Sequence, residues 1–222
     1  MTFTRSSLAR VAMGGAAILA LACAWLGYLQ FFPTPSWLNA YHWRKASAYE
    51  TWLNAGDHHE QVRAYEATLS AHGVANVLPM SELLSAARDW RGCAPEPFVV
   101  PPAELYSAIV GTLRIIARLN TAGNVIPSFS IASSYRAPDL NRCAGGASQS
   151  AHLRNVALDL DLSILTPFEE PTTVRKLCMF WRTKGPSLKM GLGVYGGGRI
   201  HIDAAGHRTW GADYRQTSSP CR

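Results

Sequence analysis

From Val156 to Leu162 the chain alternates: Val156, Leu158, Leu160 and Leu162 are apolar, and Ala157, Asp159 and Asp161 fall between them. A period of two in so apolar a run predicts a β-strand with its aliphatic side chains on the core and its acids on the opposite face. Arg199 to Asp203 repeats the device, with Ile200 and Ile202 facing one way and Arg199, His201 and Asp203 the other. Leu192 to Tyr195 precedes it across Gly196, Gly197 and Gly198, which predicts a hairpin closed by a glycine turn. Between Leu105 and Leu119 the period lengthens: Leu105, Ile109, Leu113, Ile116 and Leu119 share one face of a helix expected to pack behind the sheet. A further strand is expected at about 126–133 and a further helix at 169–182. Upstream, residues 36–92 read as helical, with segments at 46–54, from the N-cap Asp57 to the stop at Gly73, and from Pro79 through Trp90. His58 and His59 open the second segment without a partner one turn on, and are expected to face solvent.

If the two alternating strands pair, His152 in the turn before the first, Asp159 within it and His201 in the second can meet at one point. Two imidazoles and a carboxylate are the donor types and number that a catalytic zinc ion uses while keeping one position open. The alternative is two ordinary half-buried strands with solvated polar faces. The residue types alone leave both readings open.

The chain has 222 residues, 48% hydrophobic and 16% charged, enough for one substantial domain with an appendage. Its formal charge of +6 and pI of about 9.2 suit an anionic partner, such as a cell-wall polymer or lipid surface. The Lys and Arg residues are scattered and no nucleic-acid motif is present, so no nucleic-acid partner is expected. Arg5 and Arg10 precede a run from Val11 to Phe32 without a charged residue, long enough for a bilayer core, which needs ~20 apolar residues. Residues 1–35 are therefore expected to be an uncleaved signal anchor, in preference to a cleaved signal or a lipidated Cys23. The preceding arginines place the N-terminus in the cytoplasm and the rest on the periplasmic or extracytoplasmic side of the inner membrane.

Beyond Cys23 stand Cys93, Cys143, Cys178 and Cys221, none in C-x-x-C spacing. An even number suits an oxidising compartment, and four cysteines allow three pairings. Cys93 with Cys143 and Cys178 with Cys221 is the favoured set, since each bond ties an end of the expected catalytic domain to its middle; free buried thiols are the alternative.

SAHLRNVALDLDL resembles the S-x-H-x-x-G-x-A-x-D signature of the zinc D-alanyl-D-alanine carboxypeptidases and dipeptidases (VanY type, Hedgehog-like fold). Ser150, His152, Ala157 and Asp159 fall on the pattern, and Asn155 stands where that family usually has Gly. SSYRAPDLN, from Ser133 to Asn141, resembles the block that precedes the signature; GLGVYGGGRIHIDAAGHRTWG resembles the block that closes it. The resemblance implies an α+β domain with a small, mostly antiparallel sheet and helices on one side, over residues 93–222 behind a helical spacer at 36–92. It implies Zn²⁺ held by His152, Asp159 and His201, with Tyr135, Ser150, Arg208 and Trp210 lining the substrate groove. Arg136 is implied to face the substrate carboxylate or carbonyl oxygen, a structural ion pair being the alternative.

The dipeptidases carry Glu three residues before the last His; that position is Gly198 here. Asp203 becomes the candidate base, or else a carboxylate that orients His201, while Asp161 is expected to play a supporting part and His207 to be a loop residue. The activity implied is hydrolysis of peptidoglycan stem peptides, by a D,D-carboxypeptidase or a cross-link endopeptidase. A wall-binding module that keeps the fold without catalysis, and a metal-free structural anchor, are the alternatives.

Overall fold

A computed structural model describes residues 36–88, 90–94, 96–121 and 125–222, with the backbone alone for 36–39. The expected signal anchor lies outside the described residues; among them, no helix is long and apolar enough to cross a membrane. Arg44–Arg222 forms one compact unit, and every described strand belongs to it.

The described elements run α1 (Ser36–Asn54), α2 (His58–Ala71), α3 (Met80–Leu83), α4 (Trp90–Cys93), a 3-10 helix (Ala103–Ile109), α5 (Val110–Thr121) and β1 (Ser130–Ser133). Next come α6 (Pro138–Cys143), a second 3-10 turn (Ala151–Arg154), β2 (Ala157–Asp161), α7 (Glu169–Leu188), β3 (Gly191–Val194), β4 (Arg199–Asp203), β5 (Arg208–Trp210) and a last 3-10 turn (Gln216–Ser218). The class is α+β, but the sheet is mixed. Its order is β1-β2-β4-β3-β5, antiparallel except that β5 runs parallel to β3. β2 and β4 pair in the register Asp159↔His201, so two chemistry-bearing positions 42 residues apart stand side by side.

The alternation in β2 and β4 is what builds the sheet's two faces. Leu158, Leu160, Ile200 and Ile202 are buried in one apolar cluster with Leu113 and Ile116 of α5 and Leu177 and Phe180 of α7. Each such side chain contributes ~1.5–3 kcal/mol of burial. That face fixes the sheet, and the opposite face is left to carry polar groups. Tyr49, Trp52, Val62, Tyr65 and Leu69 of α1 and α2 belong to the same cluster, so these helices share the core of the sheet.

Three expectations change. The helix predicted from Pro79 through Trp90 stops after one turn, because Ser85 bridges Phe98 and the Ala86 N–H donates to Pro97 O. The helix predicted from Leu105 begins as a 3-10 turn, so Tyr106 is buried where Leu105 was expected. Helix α7 continues past Arg182 to Leu188 and ends on Lys189 in the left-handed conformation. His58 also differs: its ring stacks on Trp52 with centroids 4.0 Å apart.

Both favoured disulfides are formed, Cys93–Cys143 and Cys178–Cys221. The outer edge of β1 is occupied by side chains. Lys45 Nζ donates to Ile131 O and to Glu82 Oε2, each at 2.6 Å, and the same carboxylate oxygen accepts from Ile131 N–H at 2.7 Å.

Candidate metal centre and substrate groove

His152 reaches the polar face of the sheet from the 3-10 turn before β2. Ser150 caps that turn, its Oγ accepting from His152 N–H at 3.3 Å, and Asn155 ends it in the left-handed conformation at φ 52°. Asn155 fills the position where Gly was expected from the signature, as the residue after Gly most at ease at positive φ. Its buried Nδ2 donates to Leu105 O at 2.9 Å and to Tyr65 Oη at 3.3 Å, so the turn is tied to the helices beneath it.

His152, Asp159 and His201 converge, with one donor atom from each within 4.8 Å of the others. His152 Nδ1 lies 2.6 Å from Ser134 O, a group that only accepts, so the ring proton is on Nδ1 and Nε2 presents a lone pair. That buried Nε2 has no hydrogen bond, although Asp159 Oδ1 stands 3.1 Å away. Two acceptors facing each other in a buried place fit a cation between them. On the other side His201 Nδ1 is 2.9 Å from Asp159 Oδ1, and its Nε2 is 3.0 Å from Asp203 Oδ2. The donor set therefore fits a divalent ion of the zinc type.

The electrostatics separate the two imidazoles. Burial pushes His152 below its ordinary value, against the pull of Asp159. Burial would do the same to His201, but hydrogen bonds to Asp159 and Asp203 and their charges prevail and raise it to about 9. Burial alone would raise Asp159; the two histidines instead hold it well below the usual carboxylate range.

Around the cluster lies an open groove of about 1000 Å³. Ser150, Arg208 and Trp210 line it as expected from the sequence, and Tyr135 does not: its side chain is buried away from the groove. Trp210 sits with its ring centroid 5.3 Å from that of His201. It lies over β3, where a Cβ at Gly193 would come within 2.6 Å of the indole, so glycine is required there.

Arg136 lines the groove as well as bracing it: its Nε donates to Ser133 Oγ at 2.7 Å and its Nη2 pairs with Asp159. Asp203 is corrected as the expected base. It is fully buried and accepts from His201 Nε2, Ala205 N–H and both Nη groups of Arg208, on the far side of the imidazole from Asp159. It orients His201 and has no free oxygen with which to take a proton from a reacting water. A base at position 198 is sterically excluded, since a Cβ on Gly198 would meet Ser163 N at 2.8 Å and Leu162 C at 2.9 Å. Asp161 pairs with Arg88, and His207 stacks on Trp181 at 4.4 Å at the margin of the groove.

Sequence reasoning missed Tyr195, whose Oη accepts from Trp210 Nε1 at 2.8 Å and keeps its own proton to donate. Burial raises its pKa to about 12. It directly follows β3, and an aromatic beside a glycine turn gave no sign of that role.

A buried pair of imidazoles and a carboxylate, open to a groove on one side, is a donor set that could hold a single metal ion with a position left for a further ligand. Residues 76–203, more than half of the chain and including all three residues of the cluster, match the Peptidase M15 family. The chain belongs to that family, whose members are typically zinc-dependent peptidases. No curated protein and no solved structure matches it.

Proposed function

We propose that this protein is a zinc peptidase of the cell envelope that hydrolyses peptidoglycan stem peptides, as a D,D-carboxypeptidase or as an endopeptidase on a cross-link involving a D-amino acid. The observation that carries the reading is the unsatisfied His152 Nε2 facing Asp159 Oδ1 and His201 in the wall of an open groove. The two disulfides and the +6 charge support an oxidising compartment with an anionic polymer. The uncharged run from Val11 to Phe32 supports anchoring in the inner membrane with the catalytic unit outside.

His152, Asp159 and His201 would hold the ion, which when bound supplies a Lewis acid and a water whose pKa is lowered to ~7. Ser134 O fixes the His152 tautomer, and Asp203 with Arg208 fixes that of His201. Arg136 holds Asp159 in place and balances its charge. Tyr195 Oη, protonated at neutral pH, is the donor placed to stabilise negative charge developing on a carbonyl oxygen in the groove. Trp210 closes one wall against water.

A second reading, a wall-binding module without catalysis, is favoured by one observation: among the described residues Asp159 is the only carboxylate lining the groove. Digestion of defined muropeptides by the zinc-loaded protein, with products identified by mass spectrometry, separates the two. The peptidase releases D-alanine or splits dimers, and His152→Ala or a chelator abolishes this. Hydrolysis that survives both treatments sinks the mechanism, and wall binding with no hydrolysis selects the module.

A further inference from the structure

Residues 211–219, which follow β5, form a loop that holds one aromatic side chain outward. Tyr214 stands at φ 63°, a backbone conformation that a bulky side chain rarely adopts. Two interlocked turns keep it there. Tyr214 N–H donates to Gly211 O at 3.0 Å and Gly211 N–H donates to Arg215 O at 3.1 Å, with no room for a Cβ at Gly211 against Ser218 O. Asp213 Oδ1 accepts from Arg215 N–H at 2.9 Å and from Ser218 Oγ, and Ser219 Oγ shares a hydrogen bond of 2.6 Å with Thr209 Oγ1 of β5. The ring placed by all this is 76% exposed, so it supports no core. Unfavourable backbone maintained in order to present an exposed aromatic ring is a mark of binding.

The ring is not isolated. Its centroid lies 5.6 Å from that of Tyr195, with the planes inclined by 58°. Tyr195 Oη in turn accepts from Trp210 Nε1, and the ring of Trp210 neighbours His201. All three aromatics line the groove, and so does Gln216, two residues after Tyr214 and likewise exposed. Trp210, Tyr214 and Gln216 fall after residue 203, beyond the part of the chain that matches the family.

An open aromatic platform with an amide at its margin selects among ligands. An aliphatic side chain gains from enclosure, which so exposed a ring does not give. A pyranose gains from lying on such a ring. The C–H bonds on its face meet the π-system, while the hydroxyl and acetamido groups round its edge stay in water or bond the Gln216 amide, which both donates and accepts.

We infer that Tyr214, with Tyr195 and Gln216, forms a sugar-binding subsite on the wall of the groove, and that the preferred substrates are stem peptides still joined to an amino sugar of the glycan. The inference rests on the peptidoglycan reading, which supplies a ligand that is peptide at one end and pyranose at the other. It adds a second anchor, separate from His152, Asp159 and His201, that recognises no part of the peptide.

The test uses the zinc-loaded full chain and one stem peptide in two forms, free and joined to its N-acetylated disaccharide. The parent should show a KM about 3–10-fold lower for the joined form, the effect of one aromatic contact. Tyr214→Gly removes the ring and suits the left-handed backbone, so its melting temperature should equal or exceed the parent's while the KM ratio falls to about one. Tyr214→Phe, which keeps the ring face, should keep the ratio. Equal KM for the two forms in the parent, or a ratio that survives Tyr214→Gly, overturns the subsite. So does a rise in KM of the same size for both forms in Tyr214→Gly, which marks a contact with the peptide. If neither form is hydrolysed, the peptidase reading fails, and calorimetric titration of the same two ligands decides the subsite by itself. A lower Kd for the joined form only while an aromatic ring stands at position 214 upholds it, and equal Kd values refute it.

Discussion

The loop that carries His152 and the hairpin that carries His201 aim at one point but are built differently. His152 sits in a turn that Asn155 secures on the helices below, and behind its ring stands a backbone carbonyl, Ser134 O. Behind His201 stands a carboxylate, Asp203, itself gripped by Arg208. One histidine is positioned by the fold and kept neutral; the other is positioned by charge and drawn toward the imidazolium. Damage to the loop should therefore register as lost stability, and damage to the hairpin as lost metal affinity.

The heaviest blow to the loop side is removal of the Cys93–Cys143 bond, which closes a separation of 50 residues next to the Ala144–Gln149 wall of the groove. By the chain-entropy relation Cys143→Ser should cost about 4 kcal/mol, read by denaturant unfolding. Asn155→Ala comes next: it loses two buried hydrogen bonds and puts Ala at φ 52°, about 2–3 kcal/mol together, with the zinc affinity of the folded protein little changed. Asn155→Gly should recover the backbone share of that loss. On the hairpin side, Asp203→Asn should leave the fold standing and weaken zinc binding ~10–100-fold, measured by competition with a chelating dye. If Asp203→Asn melts the protein without touching zinc affinity, the contrast between the two sides is wrong.

The mildest test is pH. In the metal-free protein His201 titrates at about 9 against an ordinary 6.5. A raised folded-state value stabilises fully below about 6.5, and the contribution is lost as pH climbs through about 9. The melting temperature of the metal-free protein should therefore fall across that window. The drop should be smaller with zinc, which takes the place of the Nδ1 proton.

Much of the site was legible in the sequence, because period-two alternation with aliphatics behind it left Asp159 and His201 only one face to occupy. The pairing of Cys93 with Cys143 and of Cys178 with Cys221 followed from where the cysteines fall along the chain. What stayed hidden was contact between side chains. Alternation puts Asp203 on the face of His201, yet it does not say which imidazole nitrogen it meets or that Arg208 saturates it. Arg136 carries no mark in the sequence of its ion pair with Asp159. Leu83, Leu84, Ala87 and Trp90 have helical spacing, but the bridge from Ser85 to Phe98 overrides the propensity. β5, three residues long, is too short to show any period.

The clamp of Lys45 and Glu82 on Ile131 has a consequence beyond local order. β1 is a border strand, and a bare border is a template on which a second polypeptide can add itself. At Ile131 both outward backbone groups are already taken by side chains of the helical region, so that margin of the sheet is closed to recruitment. The helices ahead of the metal centre thus act as a guard against fibre-like stacking as well as a support for the core.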